Sequence, residues 1–132
     1  MSVVRFVLMW TLLAVAMTLN GMFRELVLKR AMASGVAGGV SAAMGITIIG
    51  LVTRWGFRPI AGASAGATTL WTLSVALIVL TVGFETALGR LVDHKSWSQL
   101  VQHYALWRGE LWPIVLAWLA ATPFVWSRWW QP

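Results

Sequence analysis

Long apolar stretches, each followed by a short polar one, set the pattern of this chain. Four of them run at 3–23, 36–53, 68–88 and 111–126, and the charges inside them are Arg5, near the start of the first, and Glu85, near the end of the third. A helix that crosses a bilayer needs about 20 predominantly apolar residues, with a range of roughly 17 to 25. The pattern therefore predicts an all-α polytopic membrane protein: one domain, 1–132, folded as a bundle of four transmembrane helices. The fourth run is the shortest, and Trp107, Trp112, Trp126, Trp129 and Trp130 flank it as interfacial anchors should. The first run has some features of a secretory signal, with Arg5 as its basic start and Ala14-Val15-Ala16 as a cleavage site. Its apolar character continues past that site, so a retained helix is expected, extending to about residue 32, where Ser34-Gly35 supplies a stop.

The connections differ from one another. Arg54-Trp55-Gly56-Phe57-Arg58-Pro59 and the small residues up to Thr69 read as a loop with a breaker at Pro59. The segment 96–107 instead places Trp97, Leu100, Val101 and Tyr104 at i, i+3, i+4 and i+7. Ser96 and Gln99 have the spacing of a capping box, and Gly109 ends the segment. This predicts a short amphipathic helix in the interface plane, between the third and fourth spans, roofing one end of the bundle. Pro113 falls near the start of the fourth helix, where a missing N–H costs little. The second run carries small residues every four positions, Gly35/Gly39/Ala43 and Gly38/Ala42. Such faces let helix backbones approach closely in lipid. Packing within the chain is the first expectation for them, a homodimer seam the second.

Composition strengthens the membrane reading. Hydrophobic residues make up 59% of the chain and charged ones 11%, against about 25% in soluble domains. With so few charges the chain could not clothe its own surface in water. The formal charge of +6 does not point to nucleic acid, because the basic residues flank the apolar runs as topology signals. No cysteine is present, which excludes disulfides and thiolate metal sites. Lys and Arg number six on the side of the 24–35 and 89–110 connections (the loop face) and four on the side of the termini. Three of the six, Arg24, Arg90 and Arg108, lie close to carboxylates, so orientation in the membrane stays open.

Glu25, Glu85, Asp93 and Glu110, all the acids of the chain, belong to the loop-face half. Arg24 lies 18 residues beyond Phe6, about 27 Å of helix, and Glu85 lies 16 beyond Thr69, about 24 Å. If both helices start level, the two groups end at similar depth just inside a core about 30 Å thick. An Arg24–Glu85 ion pair is the economical expectation, with Asn20 one turn deeper on the stripe of Arg24 and Glu25 turned toward Lys29. The candidate polar cluster is Asn20, Arg24, Glu25, Glu85, Tyr104 and Glu110. It has two readings: a structural clamp that sets helix register, or a site for a small solute, ion, proton or lipid headgroup with Glu85 as its titrating group.

Other chemistry is weakly marked. His94 and His103, with Asp93 or Glu110, match no metal-ligand spacing. Ser64, Thr68 and Thr69 have no His/Asp arrangement for nucleophilic catalysis, and the glycines of the second run lack the strand-to-helix context of a nucleotide loop. No cofactor, metal or enzymatic activity is expected.

Three motifs in order, Asn20-Gly21-x-x-Arg24-Glu25, Phe84-Glu85-x-x-x-Gly89, and Ser96-Trp97-x-x-Leu100 followed by Tyr104-x-Leu106-x-x-Gly109-x-Leu111-Trp112, resemble a family of small, uncharacterised bacterial four-helix membrane proteins. The resemblance covers most of the chain and implies a bacterial inner-membrane location, with no activity attached. Glu110 departs from it, since a basic residue is expected there, and this puts any pairing through that position in doubt. The sequence thus points to a small binding or transport-type membrane protein. The alternative is a non-catalytic accessory or assembly subunit, with the lipid bilayer and a second copy or a larger membrane complex as candidate partners and nucleic acid excluded.

Overall fold

A computed structural model describes residues 2–60, 66–102 and 111–129. The described chain is all-α. Helix α1 covers Val3–Phe23 and continues through a π-helical turn, Arg24–Leu28, into the single turn α2, Lys29–Ala31. Helix α3 is Ser34–Gly56, followed by a short 3₁₀ turn, Arg58–Ile60. Helix α4, Ala67–Ala87, runs on through a second π-helical turn, Leu88–Val92. The six-residue α5 is Trp97–Gln102, and α6 is Trp112–Trp129. Three helical stretches, Val3–Ala31, Gly35–Gly56 and Ala67–Val92, are long and apolar enough to cross a membrane, so the chain is a membrane protein by length and composition. The first of them, 29 residues, extends about 44 Å and overreaches a core about 30 Å thick.

Side-chain pairs fix how the helices run. Arg5 meets Trp55 and Gly56 while Asn20 meets Ser41, so α1 and α3 are antiparallel. Trp118 bonds Ile46 and Trp126 bonds Thr53, which makes α3 and α6 parallel. Ser74 meets Ala120 and Trp71 meets Phe124, so α4 and α6 are antiparallel. The ring order is α1–α3–α6–α4, with α1 and α4 closing it sparsely. Its core is Met9, Leu13, Ile49, Phe57, Leu77, Val115 and Leu119.

The tightest seam is α1–α3. A Cβ at Gly56 would overlap the Met9 side chain, and one at Gly45 would come within 3.0 Å of Met17 Cε and 3.3 Å of Asn20 Nδ2. The buried stripe of α3 is Ala37, Ser41, Gly45, Ile49 and Thr53, recurring every four residues as one helix face must. The sequence suggested other small residues for this role. A Cβ at Gly35, Gly38 or Gly39 would meet nothing within 4 Å, and Ala43 is exposed. Only Ala42 of the proposed set packs against the core. The reason is rotational: the polar Ser41 must turn toward Asn20, and that turns the glycine stripe outward.

At the terminal end, Arg5 donates to Gly56 O at 3.1 Å and to Trp55 O at 2.6 Å, with its guanidinium 4.6 Å from the Trp55 ring. It thereby satisfies carbonyls that the last turn of α3 cannot, and places a cation where the helix dipole favours one. Trp126, expected as an interfacial anchor, works inside the bundle instead, as does Trp118 from the middle of the fourth run. Trp118 Nε1 donates to Ile46 O at 3.0 Å and Trp126 Nε1 to Thr53 Oγ1 at 3.0 Å, tying α6 to α3. In lipid a buried N–H has no water to fall back on, and these two indoles find oxygens within the bundle.

Pro123 sits within α6 and is fully buried. Its missing N–H would orphan the Leu119 carbonyl. Thr122 Oγ1 takes that carbonyl at 2.7 Å, and Ser74 Oγ reaches across from α4 to the next one, Ala120 O, at 2.7 Å. A proline inside a membrane helix is tolerated when hydroxyls re-satisfy the freed groups in this way.

Candidate functional site

The loop-face end of the bundle begins with the two π-helical turns. In the first, Lys29 N–H reaches the Arg24 carbonyl five residues back, which widens the helix and changes the direction of the side chains around it. Arg24 Nε lies 3.6 Å from Glu25 Oε1, and Lys29 Nζ lies 2.9 Å from the same oxygen. The Glu25–Lys29 pair expected from their spacing is therefore present, but the Arg24–Glu85 ion pair is not. Register explains the miss. The direct contacts of α1 with α4 join Trp10 to Thr81 and to Phe84, so Glu85, one turn past Thr81, lies beside Ala14 and Met17. Arg24 is seven residues beyond Met17, about 10 Å farther along the helix. The assumption that α1 and α4 start level was wrong.

Asn20 is likewise drawn elsewhere. It is buried, with Nδ2 donating to Ser41 O at 3.0 Å while Ser41 Oγ donates to Asn20 Oδ1 at 3.2 Å. This reciprocal pair is a helix-to-helix clamp between α1 and α3. The structure thus disperses the predicted cluster. Asn20 belongs to the α3 seam, Arg24 and Glu25 to the half-buried and exposed surface of the π turn, and Glu85 to the α4 side. Tyr104 and Glu110 lie outside the described residues.

Glu85 has a distinct setting. It lines an internal cavity with Trp10, Leu13, Ala14, Met17, Ile49, Thr81, Phe84, Trp112, Val115, Leu116 and Leu119, drawn from α1, α3, α4 and α6. The space amounts to about 20 Å³, and a cavity needs about 10–15 Å³ on this measure to hold one water. Trp10 Nε1 donates weakly to Thr81 Oγ1 at 3.4 Å, and the Trp10 and Phe84 rings stand edge to face, 5.6 Å apart at 88°. Among the described residues Glu85 makes no ion pair or hydrogen bond. Of the described residues, the charged groups Lys95, Arg24 and Asp93 are near enough to influence it.

The second π turn is closed by a compact return. His94 adopts φ 54°, the left-handed conformation that ends a helix and that non-glycine residues seldom take. Lys95 N–H then reaches Gly89 O at 2.7 Å. Ser96 and Gln99 form the capping box read from their spacing: Ser96 N–H donates to Gln99 Oε1 at 2.9 Å and Gln99 N–H to Ser96 Oγ at 3.2 Å. Leu100 folds onto Gly89, where a Cβ would overlap it, and Arg90 stacks 4.7 Å from the Trp97 ring. Trp97 and Val101 remain exposed, next to exposed Leu91 and Val92.

Among the described residues no group of three His, Cys, Asp or Glu side chains could hold a metal ion. The sequence reading identified Glu85 but not its cavity. It also missed Ser41, Thr81 and Trp10 as partners, although a lone serine among glycines and alanines was a visible signal. No family model, curated protein or solved structure matches this chain.

Proposed function

We propose that this protein is a four-span bacterial inner-membrane protein that binds a small solute, ion or lipid headgroup at Glu85, without catalysis. The observation that carries the reading is a carboxyl-bearing side chain on a largely apolar cavity inside a membrane bundle, with no ion-pair partner among the described residues. An intramembrane acid is costly to keep unless it faces a partner, water or a ligand. As the fourth span, α6 is 18 residues long, about 27 Å, and is held between α3 and α4 by Trp118, Trp126 and Ser74. As an interfacial helix, α5 would lay Trp97 and Val101 into the acyl boundary while Arg90 and Lys95 stay at headgroup level. The inner-membrane location rests on the resemblance in the three motifs.

The test is an infrared titration of reconstituted protein, with the Glu85 carboxyl band assigned by Glu85→Gln. A band that follows bulk pH within roughly pH 4 to 9 supports a ligand-accessible acid. A band that is silent across that range makes Glu85 a sealed structural group and removes the reading.

The accessory-subunit reading is favoured by one observation, the open face of α3 at Gly35, Gly39 and Ala43. In a monomer, Gly39→Ala should raise stability by about 0.5–1 kcal/mol through helix propensity. A loss of stability or of assembly size on gel filtration would instead reveal a second copy or another membrane protein on that face.

A further inference from the structure

We propose that the cavity beside Glu85 takes one primary ammonium group, carried either by an aminophospholipid headgroup or by a free small amine. This rests on the reading of Glu85 as a ligand site and adds the chemistry of the ligand.

Charge, lining, donors and size converge on that group. Among the described residues Glu85 brings the one acidic side chain on the cavity, and none of them makes an ion pair with it. A cation held in the cavity would pair directly with the Glu85 carboxylate, as no described side chain does. Trp10, Phe84 and Trp112 line the same space, and aromatic faces attract cations through their quadrupole. Among the described lining residues the side-chain oxygens are the carboxylate of Glu85 and the hydroxyl of Thr81, which keeps a lone pair after accepting from Trp10. Two acceptor oxygens suit a ligand that donates. An ammonium group donates three hydrogen bonds and accepts none.

Size narrows the class. Room of about 20 Å³ admits a head the size of one water. A primary ammonium nitrogen with its three hydrogens is about that size, whereas a quaternary ammonium carries methyl groups in place of all three. The ring closes only sparsely between α1 and α4, the two helices that bring Trp10, Thr81, Phe84 and Glu85 to the cavity.

The experiment uses the full chain purified in a non-ionic detergent and compares methylammonium with tetramethylammonium by ligand-observed saturation-transfer NMR. Methylammonium should bind at least ten-fold more tightly than tetramethylammonium in the wild type, and Glu85→Gln should weaken it at least ten-fold. Trp10→Leu, which keeps the carboxylate, should weaken it several-fold. Native mass spectrometry from mixed phosphatidylethanolamine and phosphatidylcholine assigns the source: selective retention of the former, lost in Glu85→Gln, means a lipid head, and methylammonium binding without that preference means a free amine. Equal binding of both amines, or unchanged methylammonium binding in Glu85→Gln, overturns the proposal. So does an absence of both amine binding and lipid preference; if Glu85 still titrates with bulk pH, the ligand site stands without the ammonium assignment, and if it is silent both fall.

Discussion

Helix α1 faces two neighbours across seams of opposite character. Toward α3 it is close-packed along its whole length: Arg5 caps the last carbonyls, Met9 fills the gap left by Gly56, Met17 lies over Gly45, and Asn20 and Ser41 exchange hydrogen bonds. Toward α4 it offers the Trp10 indole to a distant hydroxyl and a ring edge, and a cavity opens beside them. Without a hydrophobic force between helices in lipid, small residues and polar pairs decide where backbones approach. The α3 side has both. The α4 side presents Trp10, Phe84 and Glu85, whose bulk and charge hold the helices apart, so the interior space falls where the acid is.

Three changes test this contrast. Gly56→Ala should have the largest effect, because the new methyl overlaps Met9 as far in as its Cβ region, and overpacking of this kind costs about 1–3 kcal/mol. Reversible unfolding in mixed micelles would show it, and adding Met9→Ala should return part of the loss. If Gly56→Ala is neutral, the seam is looser than its geometry indicates. Next, Asn20→Ala should cost about 1 kcal/mol, near the middle of the range for interhelical hydrogen bonds in membranes. The same assay with Ser41→Ala and the double variant isolates the Ser41 Oγ–Asn20 Oδ1 bond, because the Asn20 Nδ2 bond goes to the Ser41 backbone carbonyl. A smaller coupling energy is expected, and additive single effects would mean that the hydroxyl bond contributes nothing. Smallest of all, Thr81→Val should shift stability by less than about 0.5 kcal/mol, since it removes only a 3.4 Å bond. A cost as large as that of Asn20→Ala would show that the two seams are energetically alike and that the contrast is one of shape only.

Much of the secondary structure was legible because it is local. The apolar run at 3–23 coincides with α1, and the capping box at Ser96 and Gln99 forms with both its hydrogen bonds. Glu25 and Lys29 meet because four residues bring them to one side of the same helix. Three kinds of feature were not legible. The π turns at Arg24–Leu28 and Leu88–Val92 leave no compositional mark, yet the first of them sets the direction of Arg24 and Glu25. The proline inside α6 is harmless only because Thr122 and Ser74 supply hydroxyls. The cavity arises from four helices at once.

What the sequence determined by itself was therefore the helices, their apolar character and the presence of an acid near one end of a long membrane span. Tertiary structure alone decided which stripe of each helix faces inward and at what height. A soluble helix declares its buried side by an apolar stripe against polar neighbours, but α1, α3 and α4 are apolar all round and declare none. Rotation is then set by sparse polar residues that must find partners, as Ser41 finds Asn20 and turns the glycines Gly35 and Gly39 outward. Height is set by which bulky side chains interlock, as Trp10 does with Phe84. That interlock leaves Glu85 about 10 Å short of Arg24, beside a cavity instead of in an ion pair.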